Sequence, residues 1–494
     1  MKFIVLSSPS STKISHFYRL EVAEARILCC NPSMYPTSGE PTSLPVINPA
    51  TLEKIDDVPN STSADIDAAI TAANKAASSW AQSSERPDQL LACARVLKGN
   101  SLQIARLLTL EQGKPLREAM EEVMGASHWL RTVAEFDPLS VRQIATPRGK
   151  AFVEYKPVGT VAAITPWNYP IILAMWKIAP ALLTGNCVIV KPSPFTPLGT
   201  MEVCKLLAEQ LPPGVLQVVT GDDQTGRTLI AHSGIDHVSL TGSVSAGRLV
   251  GAQAGADLKS VTLELGGNDA ALVLDDADPA AIAADLFSAA FKNCGQTCTA
   301  IKRIYVHRSR HDELVEALAD LVKKVVIGDG LQSGTQMGPI CNEPQQQRLQ
   351  SLLADALQRG GTQLGGSELP DLPGYFHQPS IVTGLSDDAL LVTEEQFGPL
   401  LPILPFDDTC EAVTRINRSE FGLGGSVWSS DPERAAAIAD QLECGTSWVN
   451  QHSLTDPSVP FGGIKSSGLG SANGKEGLEE FTRIRVKYGN PAVS

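Results

Sequence analysis

The chain has 494 residues, 43% of them apolar and 19% charged, with a formal net charge of −14. That length allows two or three domains with a full core, and that composition excludes a disordered chain. The negative charge argues against nucleic acid or an anionic membrane surface as partner, and no apolar run approaches the ~18 residues that a membrane span needs.

Residues 1–45 show no hydrophobic period and hold several Pro and Ser, so a poorly ordered lead-in is expected there. Its apolar patch, Met1 to Ser7, is too short for a secretory signal. Scattered Lys and Arg among serines weakly resemble a mitochondrial leader, but Glu21 and Glu24 argue against one, and the cytoplasm is the default. Ten cysteines run from Cys29 to Cys444 without a Cys-x-x-Cys pair or a Cys/His cluster, so reduced thiols are expected and a metal site is not. The adjacent Cys29 and Cys30 read as incidental.

Order is expected from about Val46. Ser63-Ala64-Asp65 opens an Ala-rich helix to about Gln82, with Ser63 as N-cap. Further helices are expected over 86–110 and 115–135. From 151 to 265 the chain alternates. Apolar, β-branched runs at 160–164, 187–191, 215–219, 236–240 and 260–264 are separated by helical stretches near 170–183, 196–211, 223–232 and 243–254. Such alternation predicts an open parallel sheet covered by helices, with ligands at the carboxyl ends of its strands. A second α/β stretch follows from about 270 to 450. It has strands near 303–307, 380–383, 401–405 and 446–450 and helices at 310–326 and 343–358.

Several strand ends carry chemistry. Thr165-Pro166-Trp167-Asn168-Tyr169-Pro170 closes one strand, and Asn168 offers an amide donor for an oxyanion or for its own turn. Lys191 ends the next strand, where it could reach a ribose or phosphate or simply be solvated. Leu240-Thr241-Gly242-Ser243-Val244-Ser245-Ala246-Gly247 passes from strand to helix. Its exposed N–H groups could hold a pyrophosphate, although an ordinary Ser-capped turn reads the same way. Gly468-Leu469-Gly470 with Gly474 imitates a dinucleotide fingerprint, but no strand precedes it.

Glu264, in Val261-Thr262-Leu263-Glu264-Leu265, is a carboxylate in an apolar strand and must be paired, near the strand mouth or functional. Cys298, in Asn293-Cys294-Gly295-Gln296-Thr297-Cys298-Thr299, sits in a polar loop. It reads as a nucleophile or as a buried structural thiol. Cys294 reads more readily as packing than as a redox partner.

Together with the Glu394-Glu395-Gln396-Phe397-Gly398-Pro399 loop and the Pro460-Phe461-Gly462-Gly463-Ile464-Lys465-Ser466-Ser467-Gly468 segment, these motifs resemble the aldehyde dehydrogenase superfamily in order and spacing, over about residues 46–485. The resemblance implies a Rossmann-type dinucleotide-binding domain (46–135 and 157–266), an α/β catalytic domain (267–456) and a small β oligomerisation extension (136–156 and 478–494). The subunits would form a homodimer or homotetramer. It further implies that Cys298 attacks an aldehyde, that Asn168 and the Cys298 N–H hold the oxyanion, and that hydride passes to nicotinamide. Glu264 would then activate the water that hydrolyses the thioester. NAD would lie along Trp167, Lys191, Gly242, Ser243, Gly247, Glu395 and Phe397. Tyr169, Trp176, Thr297, Thr299 and Phe461 would line the substrate tunnel, whose aromatic walls suit an apolar or aromatic aldehyde. The alternatives are a non-catalytic binding protein on the same fold, disfavoured by the presence of both Cys298 and Glu264, and a CoA-acylating or semialdehyde-specific variant.

The chain departs from the family pattern at four places. Pro194 stands where many NAD-preferring relatives carry a Glu, which leaves NADP as an alternative cofactor. Ser471-Ala472 replaces an Arg-Glu pair, Ile301-Lys302-Arg303 replaces a small-residue turn after the nucleophile, and the usual first-strand signature before Asn48-Pro49-Ala50 is missing.

Overall fold

The strand–helix alternation expected between 151 and 265 builds a six-stranded sheet in the computed structural model, which describes residues 43–489. Its strands lie in the order Gly468–Leu469, Ser260–Glu264, His237–Thr241, Thr160–Ile164, Cys187–Lys191, Leu216–Val218. All neighbours run parallel except Gly468–Leu469, which returns antiparallel to Ser260–Glu264. Helices Pro170–Leu183, Pro197–Ala208, Asp223–Ala231 and Val244–Ala256 connect the parallel strands. Every residue of Cys187–Lys191 is buried, as expected for a parallel strand covered on both faces.

The chain starts this sheet at Thr160–Ile164, works outward to Leu216–Val218, then crosses back to His237–Thr241. The reversal leaves a crevice between the carboxyl ends of Thr160–Ile164 and His237–Thr241, the place where open α/β sheets bind ligands. Thr165 Oγ1 and Thr241 Oγ1 lie there, both buried and both without a hydrogen-bond partner.

A second sheet of seven strands has the order Thr362–Gly365, Ser380–Thr383, Leu400–Phe406, Arg303–His307, Ala270–Val273, Gly424–Trp428, Thr446–Val449. It is parallel apart from its first strand. Arg142–Thr146, Gly149–Pro157 and Thr482–Tyr488 form a separate three-stranded antiparallel sheet. On it Ile144, Ile484, Val486 and Tyr488 stay exposed.

Four local expectations are corrected. The first helix is capped by Thr62, not Ser63. Thr62 Oγ1 accepts from the Asp65 N–H while the Asp65 carboxylate accepts from the Thr62 N–H. A hydroxyl and a carboxylate three residues apart close such a box, and Thr62 has that spacing to Asp65. The helix expected over 86–110 is two, Arg86–Gly99 and Ser101–Gln112, because the Asn100 side chain turns back to the Val96 carbonyl at 2.8 Å and ends the first. The helix expected over 310–326 is Arg308–Val322, capped by the His307 side chain, which accepts from the Ser309 N–H. The first residues of the strand Ser43–Ile47, which pairs with Lys54–Pro59, fall inside the expected lead-in. The rest of the lead-in, with Cys29 and Cys30, and the last residues of the expected extension lie outside the described residues. Among the described residues no helix is long and apolar enough to cross a membrane.

Candidate active site

Glu264 closes the strand Ser260–Glu264 at 4% exposure, and neither carboxylate oxygen has a hydrogen-bond partner. Burial holds its carboxyl above the ordinary range, Lys177 offsets part of that rise, and Glu480 adds to it. Lys177 is the one charged residue of the apolar helix Pro170–Leu183. Its ammonium, pulled down by burial, donates to Ser239 Oγ at 3.3 Å. An ionisable carboxyl left buried without a protein hydrogen bond is a candidate for proton transfer.

The loop that carries Cys298 leaves the helix Pro279–Phe291 through three successive left-handed residues, Asn293, Cys294 and Gly295, at φ 52°, 56° and 70°. Gly295 is required there, since a Cβ would lie 2.4 Å from the Gly398 carbonyl oxygen. Strain of this kind persists only where the surroundings fix it, and here they do. The Asn293 N–H donates to Glu118 at 3.0 Å, its side-chain amide donates to the Asn168 carbonyl at 3.0 Å, and Gln296 Oε1 accepts from the Cys341 N–H at 2.9 Å. The turn buries Cys294 in the core of the second sheet and leaves Cys298 partly exposed.

Cys298 and Glu264 lie near enough for the carboxylate to act on the thiol. Gly267 backs onto the Cys298 carbonyl so closely that a Cβ there would sit 2.9 Å from that oxygen. The Glu264 charge also acts on the thiol. Dense packing pushes the Cys298 thiol up to about 12. Lys302 pulls it down, while Glu395, Asp269 and Glu264 raise it. The packing is dense around the side chain but does not seal it, since part of its surface remains open to solvent.

Asn168 lies against the same loop. Its Nδ2 donates to the Gln296 carbonyl at 3.0 Å, which uses one of its two N–H bonds. Its own carbonyl is held by Lys114 Nζ at 2.7 Å, and Lys114 also closes a buried ion pair with Glu122 at 2.6 Å. Thr297 Oγ1 reaches the Tyr169 hydroxyl at 3.4 Å, and Thr299 Oγ1 is tied to Ser453 Oγ at 2.6 Å. Trp176 stacks on Trp129 with centroids 5.6 Å apart and meets Phe461 edge-on at 5.4 Å. These rings, Tyr169 and Cys298 belong to one apolar cluster.

The expected cofactor residues follow the carboxyl edge of the six-stranded sheet. Burial draws the Lys191 ammonium down to about 8, Asp223 and Asp222 work against that fall, and it donates to the Gly221 carbonyl at 2.8 Å. Ser243 caps the helix Val244–Ala256 through the Ala246 N–H at 3.2 Å. Gly242 is half-buried beside it, and Gly247 acts by packing, since a Cβ there would lie 2.4 Å from Leu265 Cδ1. Trp167 and Phe397 meet edge-on at 5.2 Å. Glu395 accepts from the Gly267 N–H at 3.0 Å and fills the space beside Gly266. A helix N-terminus, a strand-end ammonium, a carboxylate and two unpartnered threonine hydroxyls along one crevice fit a dinucleotide.

Several residues of the site escaped the sequence reading. Lys177 carried a signal, as a lone charge inside an apolar helix. Trp129, Asp269 and Glu480 carried none, because their partners are remote in the chain. Glu480 accepts from the Ser471 N–H at 3.2 Å and from Thr262 Oγ1 at 3.3 Å, and so braces the Ser471-Ala472 turn.

The pattern of the Aldehyde dehydrogenase family matches residues 36–487. Phenylacetaldehyde dehydrogenase of Pseudomonas fluorescens is 39% identical over 460 residues, covering 90% of this chain and 92% of that protein. Betaine aldehyde dehydrogenase of Rhizobium etli is 35% identical over 487 residues, covering 96% and 97%. The solved NAD+ complex of an aldehyde dehydrogenase from Bacillus cereus superposes with a TM-score of 0.88 at 33% identity, over 91% of this chain and 93% of that one. A family pattern that spans nearly the whole chain, with a shared fold at that likeness, places the protein in the aldehyde dehydrogenase family.

Proposed function

We propose that this aldehyde dehydrogenase oxidises an apolar or aromatic aldehyde to the free acid with NAD(P), through a thioester on Cys298. Glu264 carries the reading: a buried carboxyl with both oxygens unbonded lies near enough to act on the partly exposed thiol of a strained loop. Cys298 Sγ, as thiolate, bonds to the aldehyde carbon, and the carbonyl electron pair moves to oxygen. The second N–H of Asn168 Nδ2 and the Cys298 N–H receive that oxyanion. A bound nicotinamide supplies the two-electron acceptor that turns the adduct into a thioester. Glu264 then takes a proton from water, the water oxygen bonds to the acyl carbon, the C–S bond breaks, and the thiolate returns.

Trp129, Trp176, Phe461 and Tyr169 supply the aromatic part of the apolar cluster against which Cys298 packs. The 451–460 loop holds no arginine to pair with a substrate carboxylate. The relative named for phenylacetaldehyde agrees with that lining. The test is the initial rate of NADH or NADPH formation with phenylacetaldehyde, betaine aldehyde, propanal and succinate semialdehyde. Phenylacetaldehyde is expected to exceed succinate semialdehyde in kcat/KM by about tenfold or more, and the reverse order would overturn the substrate reading.

NAD is the cofactor we favour, because Asp222 and Asp223 face Lys191 where a 2′-phosphate would add negative charge. Pro194 supplies no carboxylate of its own. Pro194→Glu is expected to lower the NADP/NAD ratio of kcat/KM by about tenfold, and an unchanged ratio would show that this position does not select the cofactor.

The three-stranded sheet is the proposed oligomerisation surface of a homodimer or homotetramer, since Ile484 and Tyr488 stand 65% and 76% exposed on it. Ile484→Asp with Tyr488→Asp is expected to reduce the mass measured by light scattering to that of one chain. A wild-type protein already monomeric at micromolar concentration would remove the proposal.

A further inference from the structure

Lys302 lies four residues past Cys298 in the segment that departs from the family pattern, and it is buried at 1% exposure. Burying an ammonium is costly unless its bonds are made. Its Nζ donates to the carbonyl oxygen of Thr297, which also accepts from the Ala300 N–H. The nearby Asp269 Oδ2 is buried and accepts no hydrogen bond, with His452 Nε2 at 3.7 Å beside it, so the lysine bonds to the cysteine loop in preference to that carboxylate. Its stem is fixed along its length. The Lys302 N–H donates to the Asp269 carbonyl at 2.9 Å, its carbonyl accepts from Gln396 Nε2 at 2.8 Å, and its ammonium stands 5.2 Å from the centroid of the Phe397 ring.

The carbonyl that Lys302 grips belongs to the Thr297–Cys298 peptide. In a planar trans peptide the C=O and N–H point in opposite directions, so fixing one fixes the other. We propose that Lys302 is a positioning residue for aldehyde oxidation: through the Thr297 carbonyl it aims the Cys298 N–H that receives the oxyanion, and its charge favours the Cys298 thiolate. The inference rests on the reading of Cys298 as the nucleophile.

The charges around the thiol support it. Glu395, Asp269 and Glu264 all disfavour a thiolate, and Lys302 opposes them. Lys302 itself faces Glu395, Asp269 and Cys298, and the buried His452 lies close enough to feel its charge. Burial pulls the Lys302 ammonium down, and its three acidic neighbours hold it up. Removing the lysine leaves the thiol facing only acids, so less thiolate is present at neutral pH.

The test follows alkylation of the Cys298 peptide by iodoacetamide as a function of pH, together with kcat and KM, in the full-length enzyme. Lys302→Gln is expected to move the alkylation midpoint up by about one pH unit. It is also expected to lower kcat by about tenfold or more while KM stays within about threefold. A structural role alone would lower the melting temperature without moving the midpoint. If Lys302→Gln does not fold, Lys302→Arg carries the test. It keeps the charge, so its midpoint stays at the wild-type value while kcat falls as the carbonyl grip is altered. Cys298→Ser separates the two readings, since activity retained there would remove the nucleophile assignment itself. With Cys298→Ser inactive, a wild-type midpoint in Lys302→Gln, or a midpoint displaced by a unit in Lys302→Arg, overturns the role of Lys302.

Discussion

Cys298→Ala is expected to lower kcat for aldehyde oxidation by at least about 10⁴-fold, since loss of a covalent nucleophile leaves only binding and the oxyanion donors. The fold should survive the change. Cys298 is partly exposed at the edge of an apolar cluster, and truncating such a side chain costs about 1 kcal/mol or less. The loop that presents it is fixed by Gln296, Asn293 and Asn168, none of which bonds to the thiol. Cys294→Ala provides the contrast. That residue is buried in the core of the second sheet, so the variant should lose stability and keep its chemistry. The measurement is NADH formation at saturating aldehyde beside a thermal melt for each variant. Substantial turnover in Cys298→Ala would sink the covalent route, whatever the melt shows.

The parallel sheet was legible because buried parallel strands are written as continuous apolar runs. Cys187–Lys191 and Thr160–Ile164 fall on the expected residues, and each is bounded by a turn with Pro or Gly. Cys298 and Glu264 stood out in the sequence because each is a polar residue out of place, one in a glycine-bearing loop and one in an apolar strand. What escaped depends on contacts across the chain. Thr262 and Glu480 are 218 positions apart, and nothing near either announces the other. Trp129 lies on a helix whose apolar face reads as ordinary core, and only the fold sets its ring on Trp176. The break at Asn100 was hidden for a different reason. The apolar period continues on both sides of it, and the side-chain bond to Val96 that ends the helix is local and invisible to that period. Lys302 stood out as an unusual residue, but its meaning depends on the Thr297 carbonyl, which only the folded turn brings to it.

Glu264→Gln should separate the two halves of the reaction. The amide keeps the shape of the side chain and cannot take a proton from water, so acylation of Cys298 proceeds and hydrolysis stalls. The expected trace is a burst of NADH of about one per active site, then a steady state slower than wild type by about 10²–10⁴-fold. Hydroxylamine, which attacks thioesters without a general base, should restore turnover. The pH dependence has a definite sign. Burial holds the Glu264 carboxyl above the ordinary carboxylate range, and only its ionised form accepts the proton. Wild-type deacylation therefore rises with pH through that raised value, and Glu264→Gln loses this limb. Glu480 contributes to the same rise, so Glu480→Gln should move the limb to lower pH while leaving the burst unseen. A Glu264→Gln enzyme that turns over at the wild-type rate without a burst would assign the water's proton to another group. The unbonded carboxyl at the end of Ser260–Glu264 would then be a structural cost without a catalytic return.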